Sequence, residues 1–288
     1  MNIVLGGTGR VGSHVIKRLL EYKQPVKAVV RNKEKADILR KSGVETVVAD
    51  YFDRDALSEA VKGGKNIFLI TPENPESSDF IGEIKNLTAS YRAAVISSGI
   101  EKIVGLSSFG AQHASGTGNL EASYILEHAF DDIEAEKVFI RATYYYSNWM
   151  WYLDTVKDEG ILPTFFAADL KIPMISPDDV GIFAADVMAG KIKTKQIYEI
   201  AGPEFYSSDD IAGILGKVFN KDVKAAEIPR DTWAGLLEQN GFSRSGAENM
   251  VLMTNAVISG KTQAQYDITH TGISFQDYIR RELGQDCQ

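Results

Sequence analysis

Short apolar runs alternate with stretches of helical period through the first half of the chain. Asn2–Leu5 (NIVL) is a strand-like run. Val11, Val15, Ile16, Leu19 and Leu20 then recur at the three-and-four spacing that places side chains on one helix face. Further strands are expected at 26–31 (VKAVVR), 45–50 (ETVVAD), 66–71 (NIFLIT), 103–108 (IVGLSS) and 137–141 (KVFIR). Between the fourth and fifth lies a long amphipathic stretch carrying Phe80, Ile84, Leu87, Tyr91 and Val95, with Gly99 as its stop. The strands are apolar almost throughout rather than alternating, the mark of a sheet buried on both faces. Strands separated by helices imply right-handed crossovers. The fold class expected is α/β: a Rossmann-type doubly wound parallel sheet with a smaller, mainly helical C-terminal substrate region.

The pattern changes near residue 142. ATYYYSNWMWY crowds aromatics together, and beyond residue 203 the period is mainly helical. Ser207 followed by acidic residues suggests an N-cap. Ser274 suggests the cap of a final helix carrying Phe275, Tyr278, Ile279 and Leu283. QIYEI (196–200) looks like one more strand. The expected division is 1–142 for nucleotide binding and 143–288 for the substrate, with 175–203 packing back on the sheet. There is no internal repeat and no low-complexity segment.

Immediately after the first strand comes GGTGRVG. Gly7, Gly9 and Gly12 fit G-x-G-x-x-G, and Gly6, Gly9 and Gly12 fit a wider glycine spacing. Glycine here permits a tight turn, close approach of backbone N–H groups to a pyrophosphate, and close helix–strand contact. The following helix N-terminus supplies partial positive charge. A strand before and a helix after are the context that gives the motif meaning, so Gly6, Gly7, Thr8, Gly9, Arg10, Val11 and Gly12 are expected to hold a dinucleotide. The second strand ends in Arg31 rather than a carboxylate, followed by Asn32, Lys33 and Lys35. A guanidinium can grip a ribose 2′-phosphate that a carboxylate would repel, which favours NADP(H) over NAD(H). The alternative is a solvated basic turn. Asp50 could accept from the adenine amino group, Tyr51 could border the ring, and Thr71 and Pro72 would lie near the far ribose. Ordinary loop chemistry competes for these four.

Net charge of −8 with dispersed Lys and Arg argues against nucleic acid, and against anionic membrane surfaces, as partners. A single cysteine, Cys287, excludes an internal disulfide and suggests a reducing compartment. With neither a signal-peptide pattern nor a bilayer-length apolar run, the expectation is a cytoplasmic protein. The four histidines show no metal-ligand spacing, and GLSSFG is not a nucleophile elbow.

The motifs VLGGTGRVGSHV, VVRNKEKA, VVADYFD, IVGLSS, IRATYYYSNW, ISPDDVG and IYEIAGP, in this order over residues 2 to 203, resemble the NmrA-like group of atypical short-chain dehydrogenases/reductases. That group includes quinone reductases and triphenylmethane-reductase-like enzymes. The resemblance implies a Rossmann fold, NADPH binding, and either reduction of a small substrate or redox sensing without turnover. It allows a homodimer or a regulatory protein partner. A nucleotide-sugar epimerase or dehydratase is a further alternative.

In the catalytic short-chain reductases a Ser lies after the fifth strand and Tyr-x-x-x-Lys on the next helix. By that resemblance Ser107 or Ser108 takes the first role and Tyr124 the second, with His128 where lysine is usual. Imidazole titrates near ~6.5, so it is a weak substitute for a permanent ammonium, though it could bond ribose hydroxyls. The expectation is that Tyr124 and His128 face the nicotinamide. The alternative is two ordinary side chains on a packed helix. Arg141 and Asn148 match the family's Arg…Asn spacing. Tyr144, Tyr145, Tyr146, Trp149 and Trp151, with Asn148, are candidates for an apolar substrate pocket, or for interdomain core or a subunit interface.

Overall fold

A computed structural model describes residues 1–285; Cys287 lies outside the described residues. The chain runs β1 (Asn2–Leu5), α1 (Arg10–Glu21), β2 (Val26–Val30), α2 (Lys33–Lys41), β3 (Glu45–Val48), α3 (Arg54–Ala60), β4 (Asn66–Leu69), α4 (Phe80–Ser98), β5 (Lys102–Ser108), α5 (Glu121–His128) and β6 (Glu136–Ala142). It continues through β7 (Tyr144–Tyr145), α6 (Leu153–Glu159), β8 (Ile161–Thr164), β9 (Ile172–Ile175), α7 (Pro177–Met188), β10 (Ile197–Ala201) and β11 (Phe205–Tyr206). The last elements are α8 (Ser208–Phe219), β12 (Lys224–Glu227), α9 (Trp233–Gln239), α10 (Arg244–Ile258), β13 (Ile268–His270) and α11 (Phe275–Glu282).

Eight strands form the central sheet in the order β13-β10-β6-β5-β4-β1-β2-β3, with every pairing parallel. The order reverses between β1 and β4. In open α/β sheets a crevice opens at such a switch, beyond the strand C-termini. Strand side chains alternate between two apolar layers, as the two-residue period requires. Ile3, Leu5, Ile67 and Leu69 join Leu57, Ile84, Leu87 and Leu126 on one face. Val4, Phe68, Val104 and Ile140 join Val15, Leu19, Val180 and Phe183 on the other. This is the doubly wound sheet the alternation implied.

Residues 175–203 return to that sheet. A Cβ at Gly181 of α7 would meet the Val11 carbonyl at 2.5 Å, so only glycine lets α7 lie this close to α1. β10 pairs in register with β6, Ile197 opposite Phe139. The C-terminal region has its own core around Tyr146, Trp149, Leu162, Leu215 and Phe275. It is less uniformly helical than its periodicity implied, adding the small sheets β11-β9-β7 and β12-β8. Strands of two to four residues are too short to show a period of two. Ser207 forms a capping box with Asp210, and Ser274 caps α11, both as expected. Among the described residues no helix is long and apolar enough to cross a membrane, and no cluster of His, Cys, Asp or Glu could hold a metal ion.

Candidate functional site

The glycine loop sits at the switch point, between β1 and α1. Gly6 has φ +67°, a left-handed conformation, and its carbonyl accepts from the Gly9 N–H at 2.8 Å. A Cβ at position 12 would lie 2.2 Å from the Gly6 oxygen. Among the described residues no side chain caps α1, whose N-cap is Gly9, so its first-turn N–H groups are left there without intrahelical or side-chain acceptors. Thr8, Gly9 and Arg10 are exposed, while Gly7, Val11 and Gly12 are buried. Bare amides at a helix N-terminus, in a cradle that any Cβ would fill, fit the diphosphate of a dinucleotide. On the outer side of the loop Arg10 reaches Tyr278 of α11, in a small polar cavity of about 290 Å³.

Tyr51 departs from the role of bordering an adenine ring. It is 3% exposed, and its hydroxyl accepts from the Gly6 N–H at 2.8 Å and donates to the Val29 carbonyl at 2.7 Å. It braces the loop from beneath. The Arg31 guanidinium carbon stands 5.7 Å from the Tyr51 ring centre, which puts the exposed cation beside the braced loop. Asn32 caps α2 through the Lys35 N–H, and Lys33 and Lys35 project into solvent. Asp50 is exposed, and its carboxylate accepts from the Phe52 N–H.

A cavity of about 800 Å³ opens beyond the C-termini of β4, β5 and β6. Thr71, Ser107, Tyr144, Tyr145 and Asn148 line it, and Pro72 is half-buried next to Thr71. Its walls are largely apolar, with Phe80, Phe109, Phe166, Phe205, Met253 and Val257. Burial pushes the Tyr144 and Tyr145 hydroxyls well above the ordinary tyrosine range, and the nearby Glu73 carboxylate adds to the rise.

Two expectations are corrected here. Trp149 does not line the cavity. It is 1% exposed in the C-terminal core, with Nε1 donating to Met174 Sδ at 3.4 Å. Residues 146–152 form a 3₁₀ helix, whose three-residue period directs Tyr146 and Trp149 together into the core. Asn148 meets the cavity, and Trp151 stands in solvent.

The second correction concerns α5. Its sheet-facing residues are Ala122, Ser123, Leu126 and Glu127. One residue further on is a rotation of ~100°, so Tyr124 and His128 lie on the outer face. Neither lines the cavity. Their rings stack at 4.0 Å, and His128 Nδ1 bonds the Tyr124 carbonyl of its own helix. The pair that meets the end of β5 is Ser123 and Glu127. Ser108 Oγ donates to Ser123 Oγ at 2.9 Å, and Ser107 Oγ donates to Glu127 Oε1 at 2.6 Å.

Glu127 also takes the Nε and one terminal nitrogen of Arg141, at 2.9 and 2.8 Å. The other terminal nitrogen bonds Glu199 at 3.2 Å and Gln265 at 2.9 Å, and Glu199 accepts from the Gln265 and Tyr266 N–H groups. Arg141 thus joins α5, β6 and β10 to the loop whose Thr262, Gln263 and Ala264 close the cavity. The residues of the site that escaped the sequence reading include Phe109, Phe166 and Phe205 of the wall, and the polar Glu73, Glu127 and Thr143, whose buried hydroxyl has no partner among the described residues. Only Glu73 carried a signal, two positions after Thr71 at a strand end.

The profile of the NmrA-like family matches residues 2–273. Quinone oxidoreductase 2 of Escherichia coli (strain K12) is 25% identical over 244 residues, spanning 84% of this chain and 82% of that protein. The NAD(P)H azoreductase of Xenophilus azovorans is 24% identical over 252 residues, 87% and 85% of the two chains. The crystal structure of the NADPH-dependent quinone oxidoreductase of Escherichia coli complexed with NADPH superposes with a TM-score of 0.80 at 23% identity, covering 98% of this chain and 100% of that one. Citrobacter sp. triphenylmethane reductase complexed with NADP(H) gives 0.76 at 22%, covering 93% of each. The structural likeness shows the fold.

Proposed function

The chain belongs to the NmrA-like family, and from that membership and the cleft we propose an NAD(P)H-dependent oxidoreductase that uses NADP(H) and reduces a small quinone-like or carbonyl acceptor by hydride transfer. The observation that carries the reading is the adjacency of two sites at the switch point. A bare, glycine-lined helix N-terminus lies beside Arg31, and an aromatic cavity of about 800 Å³ lies beyond β4 to β6. Relatives named quinone oxidoreductase and NAD(P)H azoreductase support the same class.

Residues 1–142 would hold the dinucleotide and residues 143–288 most of the acceptor, with 175–203 stiffening the sheet. Gly6 to Gly12 would take the diphosphate and Arg31, aided by Lys35, the 2′-phosphate. Asp50, Thr71 and Pro72 would border the adenosine and nicotinamide riboses. The reduced nicotinamide, when bound, supplies the hydride. Tyr144, Tyr145 and the phenylalanines would exclude water from a flat acceptor and orient it.

The position of Tyr124 and His128 outside the cavity favours a second reading, a redox sensor that binds NADP(H) without turnover. One assay separates the two. Purified protein is titrated with NADPH and NADH by tryptophan fluorescence, then mixed with simple quinones while NADPH oxidation is followed. Turnover with tighter NADPH binding supports the reductase. Binding of both NADP⁺ and NADPH with no turnover on quinone, azo and carbonyl acceptors supports the sensor. Failure to bind any nicotinamide dinucleotide overturns both.

A further inference from the structure

Hydride addition to a neutral quinone leaves negative charge on a carbonyl oxygen, so a proton must reach that oxygen. The usual tyrosine position is outside the cavity. Among the described residues that line the cavity, only Glu73, Tyr144, Tyr145 and Lys171 can titrate or carry charge. The two tyrosine hydroxyls are pushed up by burial, which makes them poorer acids. Lys171 is exposed and carries its own ion pair, with Asp210 at 3.4 Å. Ser107 has its single hydroxyl proton committed to Glu127.

Glu73 is different. It forms no hydrogen bond and no ion pair among the described residues. Its neighbours hold the segment that carries it. Glu83 takes Asn74 and Ser77, at 3.0 and 2.7 Å, and the Pro75 carbonyl accepts from the Ser243 N–H at 2.9 Å. A Cβ at Gly246 would meet that same Pro75 oxygen at 2.3 Å, so α10 is packed hard against the segment. Glu73 therefore hangs from a braced strap, beside Tyr144 and Tyr145 on one side and solvent on the other. Protein on the cavity side desolvates the carboxyl and raises it above the ordinary glutamate value.

We infer that Glu73 is the proton donor of this cavity for neutral acceptors, an inference that rests on the reductase reading. In the step, hydride would pass from a bound reduced nicotinamide, leaving the oxidised pyridinium, and would bond to one quinone carbonyl oxygen. The other carbonyl oxygen takes up the displaced electron density. The O–H bond of Glu73 breaks and its proton goes to that oxygen, giving the hydroquinone. The Glu73 carboxylate regains a proton from water at its exposed side.

The test compares wild type, Glu73→Gln and Glu76→Gln, an exposed residue of the same segment that does not line the cavity. Two acceptors are used with NADPH: a neutral quinone, and a cationic triarylmethyl dye whose central carbon takes hydride without a proton. Glu73→Gln should lower kcat for the quinone at least tenfold, leave NADPH affinity and dye turnover within threefold, and abolish the alkaline fall of the wild-type kcat profile. Glu76→Gln should match wild type throughout. A carbon-13 NMR titration of labelled protein should show a carboxyl titrating above the ordinary glutamate value, absent in Glu73→Gln. Equal losses with both acceptors, an unchanged quinone kcat, or an ordinary titration for Glu73 would each overturn the inference. If wild type turned over neither acceptor, the reductase reading would fall first and the donor role with it.

Discussion

The Tyr51 hydroxyl bridges the glycine loop and the second strand, taking the Gly6 N–H at 2.8 Å and giving its proton to the Val29 carbonyl at 2.7 Å. Removing that oxygen orphans a part-buried donor and a buried strand acceptor. Tyr51→Phe should cost about 1–3 kcal/mol in denaturant unfolding, and should weaken NADPH binding through a looser loop. Unchanged stability and affinity would mean the bridge contributes nothing.

Gly12 faces the same loop from the helix side. With a Cβ 2.2 Å from the Gly6 oxygen, Gly12→Ala must displace backbone rather than a flexible side chain. Overpacking of this kind costs about 1–3 kcal/mol. Fluorescence titration should show NADPH affinity falling by about tenfold or more, since the displaced atoms line the proposed diphosphate cradle.

Charge reversal at Arg31 isolates cofactor choice from folding, because the residue is exposed. Charge-assisted bonds are worth about 1.5–3 kcal/mol, so Arg31→Glu should weaken NADPH by roughly 10- to 100-fold while NADH changes little. Parallel losses for both cofactors would sink the assignment of the 2′-phosphate to this side chain.

Position on α5 separates an outer pair from an inner one. Tyr124→Phe and His128→Ala should leave stability within about 0.5 kcal/mol, and kcat within about threefold. Glu127→Ala strips Arg141 of its two-point partner in a buried cluster, and should cost about 3–5 kcal/mol by urea unfolding. A loss of turnover by orders of magnitude in Tyr124→Phe would return that tyrosine to the reaction.

The capping box of α8 gives a stability contribution with a definite pH sign. Asp210 is held below the ordinary carboxylate range, chiefly by the Ser207 N–H, so its stabilisation is present above the unfolded pKa of ~3.9 and fades as pH falls through the lower folded value. Asp210→Asn should cost about 1 kcal/mol at pH 7, and the difference should shrink as the pH falls below ~3.9, measured by urea melts across that range.

The layered α/β fold and the glycine loop were legible in the sequence, because each is encoded locally. A strand followed by G-x-x-G-x-x-G and a helical period fixes a turn within a dozen residues, and continuous apolar strands can only be buried on both faces. The ends of β3 and β4 fell two residues short of the apolar runs, and the strands of the small sheets carried no period to read. The direction of side chains where one residue of register matters became visible only in the folded chain. On α5 a rotation of one position exchanges Tyr124 and His128 for Ser123 and Glu127 at the sheet, and on the 3₁₀ turn a period of three sends Trp149 inward while Asn148 meets the cavity. Tyr51, Arg141 and Glu73 acquire their roles from partners 45, 58 and 71 residues away in the chain (Gly6, Glu199 and Tyr144). No window of sequence contains both members of such a pair, since long-range packing sets them face to face.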